Sequence, residues 1–332
     1  MPTNHDRRAF LKAGMIAAGT VVSVNLPRPR AARAASSAEL CTLLDIRKCI
    51  GCGACVEGCR DVNGFKYPRL QGEMPTMYPQ GRVKIADWSS EQKQAVRDRL
   101  TPYNWLFIQN VTGTHQGEDF NLFIPRRCMH CRNAPCVNLC PFGAAFKQSN
   151  GIVRIHDKIC MGGAKCKAVC PWHIPERQSG VGSYLNVLPN FAGNGVMYKC
   201  DRCYNRIDAG ELPACIEVCP EGVQIIGPRP EIIAKARQLA EEIGGYIYGD
   251  VENGGTNTLY VSPVPFDVLN QSLQPGPGQP HLKAVDDAMA DANMLAGALV
   301  VAPVAAVIGV ALRFKQIADR DEAARKGERS NE

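Results

Sequence analysis

Fifteen of the sixteen cysteines in this 332-residue chain fall into four similarly built groups, and that grouping limits the possible folds more than any other feature. The first group is Cys49-Ile50-Gly51-Cys52-Gly53-Ala54-Cys55-Val56-Glu57-Gly58-Cys59, a C-x2-C-x2-C-x3-C run. The second is Cys128, Cys131, Cys136 and Cys140, followed by Pro141. The fourth is Cys200, Cys203, Cys215 and Cys219, followed by Pro220, with a lengthened central loop. The third keeps the overall length of the first as Cys160, Cys166 and Cys170 before Pro171, but Gly163 stands where a second cysteine belongs. A chain of this length can bury a core without covalent staples, so a small disulfide knot is excluded.

Such spacing suits one chemistry. Cysteines two residues apart on a tight glycine-containing loop converge on a single centre, with backbone N–H groups aimed at it. The x3 step then starts a helix that carries the last cysteine away. The following proline prevents a competing strand and fixes the exit direction. Zinc sites use two C-x2-C pairs separated by a spacer, not three cysteines within seven residues. Disulfides cannot pair three such closely spaced thiols without strain. The pattern points to iron–sulfur clusters. Glycine offers no ligand, so the third group predicts a [3Fe–4S] cluster. The alternatives are a [4Fe–4S] cluster whose open iron takes water or a side chain such as His156, or an unusual variant of a normal site.

The two ends read as addresses. Arg7-Arg8-Ala9-Phe10-Leu11-Lys12, the uncharged stretch from Ala13 to Leu26 and Ala32-Arg33-Ala34 make a twin-arginine export signal over residues 1–34, with cleavage expected after Ala34. Twin-arginine export moves folded proteins, which suits a chain that must receive its cofactor before it meets an oxidising compartment. Residues 292–312 carry no charge and read as one transmembrane helix. Arg313 and Lys315 follow it, which puts the 313–332 tail in the cytoplasm and the body on the other side. Nearly all of the net charge of +6 comes from Arg7, Arg8, Lys12, Arg28, Arg30 and Arg33, so the body lacks the basic footprint of a nucleic-acid binder.

Between the groups, Arg60 to Arg127 is too long for a simple loop, and Trp88, Tyr103, Trp105 and Phe107 read as packing or partner contacts. Asn150-Gly151 predicts a two-residue hairpin turn within Ala144 to Ile155. Pro230 to Ile243 has helical spacing and stops at Gly244-Gly245, and Gln271 to Pro280 reads as a linker. Cys41 predicts a buried thiol on a strand ahead of the first group. His130, Lys165 and Lys167 could tune a cluster or simply be spacer and solvated residues. No nucleophile with a positioned base, phosphate-cradling loop or carboxylate pair stands out, so the chain is not expected to be catalytic alone.

From about residue 40 to 265 the four groups resemble the four-cluster ferredoxin subunits of membrane-associated respiratory oxidoreductases. With both address ends, the chain is most similar to the iron–sulfur electron-transfer subunits of membrane-bound [NiFe] hydrogenases. The resemblance is carried by Cys49-Ile50-Gly51-Cys52-Gly53-Ala54-Cys55, Arg127-Cys128-Met129-His130-Cys131, Leu212-Pro213-Ala214-Cys215-Ile216-Glu217-Val218-Cys219-Pro220 and Thr258-Leu259-Tyr260-Val261-Ser262-Pro263-Val264-Pro265. Gly163 departs from it and resembles the ligand replacement of nitrate reductase relatives.

The resemblance implies an α+β fold of two pseudo-symmetric ferredoxin-like dicluster halves with long loops, plus one C-terminal transmembrane helix. Residues 35–127 would hold the first group and an insertion. Residues 128–199 would form an inserted second half, and 200–270 would complete the first, with 271–291 as linker. The last cysteine of each group would be exchanged. That gives ligand sets Cys49/Cys52/Cys55/Cys219, Cys200/Cys203/Cys215/Cys59, Cys128/Cys131/Cys136/Cys170 and Cys160/Cys166/Cys140. Three [4Fe–4S] clusters and one [3Fe–4S] cluster follow, or four [4Fe–4S]. The implied role is to relay electrons between a periplasmic hydrogenase, through its small subunit, and an integral membrane quinone-reactive subunit. A molybdenum-containing respiratory oxidoreductase, such as a formate dehydrogenase or polysulfide reductase, is the alternative partner.

Overall fold

A strand whose side chains are all buried cannot lie on a sheet that faces water, and Leu40–Asp45 (β1) and Thr258–Ser262 (β10) are buried along almost their whole length. The two pair in parallel, with Thr42 opposite Thr258 and Asp45 opposite Val261. Gln224–Pro228 (β8) adds antiparallel to β1, and Tyr246–Tyr248 (β9) adds antiparallel to β10, giving the order β8-β1-β10-β9. The computed structural model describes residues 38–274 and 276–290.

Alternation along the strands assigns the two faces. Cys41, Leu43, Leu259 and Val261 pack against Ile232, Ala236 and Ala240 of the helix Arg229–Ile243. That helix ends at Gly244 in the left-handed conformation, φ 61°, where glycine has no Cβ to clash. It matches the sequence expectation within a residue, and Cys41 is fully buried on β1 as expected. Leu44 and Tyr260 face the other way, into a larger core that contains most of the grouped cysteines.

Three two-stranded elements surround that core. Phe107–His115 (β2) and Glu118–Arg126 (β3) form a hairpin whose two turn residues, Gln116 and Gly117, both have positive φ. It occupies part of the long stretch that the sequence left unassigned. Ala145–Lys147 (β4) pairs with Val153–Ile155 (β5). The connection runs from Gln148 to Ile152 and is thus longer than the predicted two-residue turn, with Gly151 at φ 84°. Glu176–Gln178 (β6) pairs with Val196–Tyr198 (β7). The insertion straps this last region through Tyr78, which donates to Asn190 O and accepts from Ala192 N, and through Ala86, which accepts from Ser179 N.

One element of the expected fold class is corrected. Among the described residues no helix is long and apolar enough to cross a membrane, so the described fold is mixed α/β and includes no transmembrane helix. The longest described helix, Arg229–Ile243, has 15 residues. At 1.5 Å per residue it reaches about 22 Å, short of a hydrocarbon core of about 30 Å, and it is interrupted by charged side chains. Residues 292–312, the 313–332 tail and the 1–34 signal lie outside the described residues.

The segment read as a linker stays on the body. Leu282 is buried, Lys283 O accepts from the Tyr248 hydroxyl at 2.8 Å, and Asn253 N donates to Val285 O at 2.8 Å. The sheet core generates a direct test. Leu259→Ala, which leaves a hole between β10 and the helix, is expected to cost about 2–5 kcal/mol of stability, measured by denaturant or thermal unfolding.

Candidate metal centres

The four groups fold into the same local shape because one residue in each takes the left-handed conformation. The residue before the second ligand position is Gly51 (φ 73°), His130 (φ 48°), Gly162 (φ 67°) and Arg202 (φ 56°). Reversing the chain there brings neighbouring N–H groups onto one side of the loop, a geometry suited to an anionic centre. Short helices follow: Ala54–Asn63 carries Cys55 and Cys59, Pro135–Asn138 carries Cys136, Lys165–Ala168 carries Cys166, and Ala214–Glu217 carries Cys215.

The thiols gather across groups as well as within them. Cys49, Cys52, Cys55 and Cys219 line one pocket together with Ile50, Ile108 and Pro125. Cys59 faces Cys200, Cys203 and Cys215. Cys131 faces Cys128, Cys136 and Cys170. Cys166 faces Cys160 and Cys140. The last cysteine of each group therefore sits with the first cysteines of another.

The sets also lie next to one another in order. Cys55 of the first faces Cys215, Cys200 faces Cys128, and Cys166 faces Cys136. Backbone donors already point at several sulfurs: Met197 N to Cys160 Sγ at 3.4 Å, Arg202 N to Cys200 Sγ at 3.4 Å, Val223 N to Cys219 Sγ at 3.4 Å and Ala145 N to Cys140 Sγ at 3.5 Å.

What could these sets hold? All sixteen cysteines are free thiols, and among the described residues no three ligating side chains approach closely enough to hold a single metal ion. Thiols that surround a space without converging on one point fit a polynuclear cluster with a thiolate at each corner. A lone tetrahedral zinc would need sulfurs about 2.3 Å from the metal. Burial, reinforced by neighbouring thiolates, pushes Cys55, Cys170 and Cys200 up to about 12 and Cys136 up to about 11. Without cationic iron these groups stay protonated, so metal loading and deprotonation are linked.

Gly163 leaves a gap that is open in shape as well as in chemistry. A Cβ there would meet only Phe142, at 4.0 Å, and the residue has no positive φ. Its neighbour Gly162 is the opposite case: φ is 67°, and a Cβ would lie 2.5 Å from Gly195 O. His156 is half exposed and turned toward Asp157 Oδ1 at 3.7 Å. His130 is fully buried, and its Nδ1 accepts from Val153 N at 3.1 Å, which ties the second loop to β5. Lys167 pairs with Glu176 at 2.6 Å.

Sequence reasoning passed over three buried groups. Arg127 Nη1 donates to Cys215 Sγ at 2.8 Å. Lys199 Nζ donates to Val153 O at 2.5 Å and Cys200 O at 3.1 Å. Asn63 Nδ2 donates to Cys203 Sγ at 3.3 Å and Cys59 O at 3.0 Å. Burial opposes the charge on Arg127 and Lys199, but Cys215 and Cys200 beside Arg127, and Cys128 and Cys136 beside Lys199, hold both cations above their usual range. The signal was present: Lys48, Arg127 and Lys199 each immediately precede the first cysteine of a group.

The cysteine-bearing region matches known families. Two models described as 4Fe-4S dicluster domains match residues 48–144 and 120–229. The hydrogenase-2 operon protein HybA of Escherichia coli O157:H7 is 31% identical over 304 residues, covering 80% of this chain and 83% of HybA. The chain belongs to the HybA family. It is also similar to the nitrate-inducible formate dehydrogenase iron–sulfur subunit of Escherichia coli K12, at 30% identity over 235 residues and 68% of each chain. The thiosulfate reductase electron transfer subunit PhsB of Salmonella typhi is 32% identical over 181 residues, 54% of this chain and 70% of PhsB.

In this HybA-family chain the two adjacent glycines should behave differently. Gly162→Ala is expected to lower the melting temperature by several degrees through backbone strain and the clash with Gly195 O. Gly163→Ala should leave it nearly unchanged, and differential scanning calorimetry separates the two.

Proposed function

We propose that the chain is an iron–sulfur electron-transfer subunit whose four thiol sets hold clusters in a continuous row. The ligands are Cys49/Cys52/Cys55/Cys219, then Cys200/Cys203/Cys215/Cys59, then Cys128/Cys131/Cys136/Cys170, then Cys160/Cys166/Cys140. The observation that carries this reading is the handover between sets: Cys55 faces Cys215, Cys200 faces Cys128, and Cys136 faces Cys166. Bound clusters supply reversible one-electron chemistry. The protein's own groups hold the thiolates, exclude water from the interior sets and donate N–H hydrogen bonds that stabilise added negative charge.

Both ends of the row reach the surface beside apolar side chains, as a relay between two partners requires. Cys52 is exposed next to Ile50 at the first set, and Phe142 is exposed at the last. The partners are the small subunit of a periplasmic [NiFe] hydrogenase and an integral membrane quinone-reactive subunit, and the 1–34 signal exports the folded chain. Kinship with HybA supports that choice. The similarity to a formate dehydrogenase iron–sulfur subunit favours a second reading, in which the same row serves a molybdenum enzyme. Nickel or molybdenum in the complex purified through this chain distinguishes them.

The vacancy at Gly163 makes the last cluster a [3Fe–4S] centre in this proposal, and the open space there makes it convertible. Anaerobically purified chain is expected to show an oxidised-state three-iron EPR signal. Gly163→Cys should replace it with a reduced-state four-iron signal and raise the iron content by one per chain. An iron-free, colourless chain overturns the electron-transfer reading. A wild type without the oxidised-state signal overturns only the three-iron assignment.

A further inference from the structure

Four cations, Arg126, Arg127, Lys199 and Arg202, are enclosed among the described residues without an ion-paired carboxylate, and Arg127 and Lys199 are the two whose charge the thiols of the row sustain. Asp201, beside Lys199, pairs instead with Lys66 at 2.7 Å. Arg127 is 3% exposed and Lys199 is 6% exposed. Neither forms an ion pair among the described residues, and Arg127 Nε and Nη2 have no hydrogen-bond partner at all. An isolated buried charge is costly, and it persists only where a negative group stands close by. Apart from Asp201 near Lys199, which is already engaged by Lys66, the groups close by are the thiols of the cluster row.

The two cations occupy distinct places along it. Arg127 lies among Cys215 and Cys200 of the second set in the row and Cys55 of the first. Lys199 lies among Cys128 and Cys136 of the third set and Cys200 of the second. Each therefore bridges one junction between neighbouring sets. In the set completed by Cys59, Cys215 accepts from Arg127 at 2.8 Å and Cys200 lies beside both cations. Cys55 of the first set lies beside Arg127, Cys128 and Cys136 of the third lie beside Lys199, and neither cation stands among the charges that act most on Cys160 and Cys166 of the terminal set. Arg202 also lies beside Cys200 and Cys128, but burial and the neighbouring Arg127 hold it below its usual range, and its guanidinium donates to Leu40 O, Asn257 O and Thr258 Oγ1 and so holds β1 and β10 in place.

We infer that Arg127 and Lys199 are built-in counter-charges that raise the reduction potential of the clusters whose thiolates they face, and that they make the Cys59/Cys200/Cys203/Cys215 site an electron well inside the row. This rests on the cluster reading above and extends it to residues that bind no iron. One electron entering a cluster adds one negative charge, and it leaves an adjacent cluster that is oxidised by one electron. A fixed cation a few ångströms away in a low-dielectric interior favours the reduced form over the oxidised one. Both residues act through the thiolates and carry no proton in the step.

The test is an EPR-monitored redox titration of the full-length, anaerobically loaded chain, with iron and sulfide counted in every sample. Arg127→Gln is expected to shift reduction of the doubly bridged cluster at least tenfold, about 59 mV downward for a one-electron couple, and to leave the terminal cluster unmoved. Lys199→Gln should lower the doubly bridged cluster and its neighbour bearing Cys128 and Cys136. Arg127→Lys keeps the charge and should restore most of the shift. Full iron content with unmoved potentials in both glutamine variants overturns the inference and leaves the relay intact. Absence of iron from the wild type overturns the relay itself. Should Arg127→Gln lose iron, Lys199→Gln decides, and an unmoved potential there overturns the inference.

Discussion

Everything in this molecule is organised around the exchange of the last cysteine between groups. Cys59 leaves the first loop to stand with Cys200, Cys203 and Cys215, and Cys219 returns to Cys49, Cys52 and Cys55. That reciprocity forces residues more than 150 positions apart into contact. The parallel pairing of β1 with β10 and the antiparallel pairing of β1 with β8 serve this end, since they fix the exits toward the first group and from the fourth on one sheet. The helix Arg229–Ile243 then seals the opposite face with small residues, Ala236 and Ala240, that let it approach the strands closely.

The interior follows from the same constraint. A core that must enclose several anionic centres cannot be purely apolar, and this one admits Arg127, Lys199, Arg202, His130 and Asn63 among leucines and aromatic rings. The donors of Arg127, Lys199, Arg202 and Asn63 go to sulfurs, backbone carbonyls and the Thr258 hydroxyl, while His130 accepts from Val153 N. Asn63 and Arg127 reach thiols, whereas Arg202 and Lys199 hold the loops and strands that carry them. Buried polarity here is fitted to charge that the polypeptide alone does not contain.

Local features were legible in the sequence and long-range ones were not. The cysteine spacing announced the loops, the apolar run around Cys41 announced β1, and Gly244 marked the end of the helix, because each depends on neighbours within a few residues. The β2–β3 hairpin was missed although Gln116-Gly117 adopts the two-residue turn, since glutamine is a weak turn signal beside asparagine. The Pro/Gly-rich stretch before Leu282 looked like a free connector. Its docking depends on Leu100 N, which donates to Gly278 O, and on Asp98 O, which accepts from Gln279, partners that composition cannot reveal. The transmembrane helix assigned to the fold from a charge-free run was not sustained among the described residues. Arg127 and Lys199 looked like ordinary basic residues beside cysteines, because burial is decided by the whole chain.

The placement of β10 has a consequence for biogenesis. β1 is made near the start of the body, yet its parallel neighbour and Cys219 emerge more than 150 residues later. At ribosomal speed that interval is on the order of ten seconds or more. The hairpin-linked second and third groups, close together in the chain, can close their sites while synthesis continues. The outermost pocket must wait open for the last strands, and so it is the one most exposed to oxidants and to mismetallation in the nascent protein.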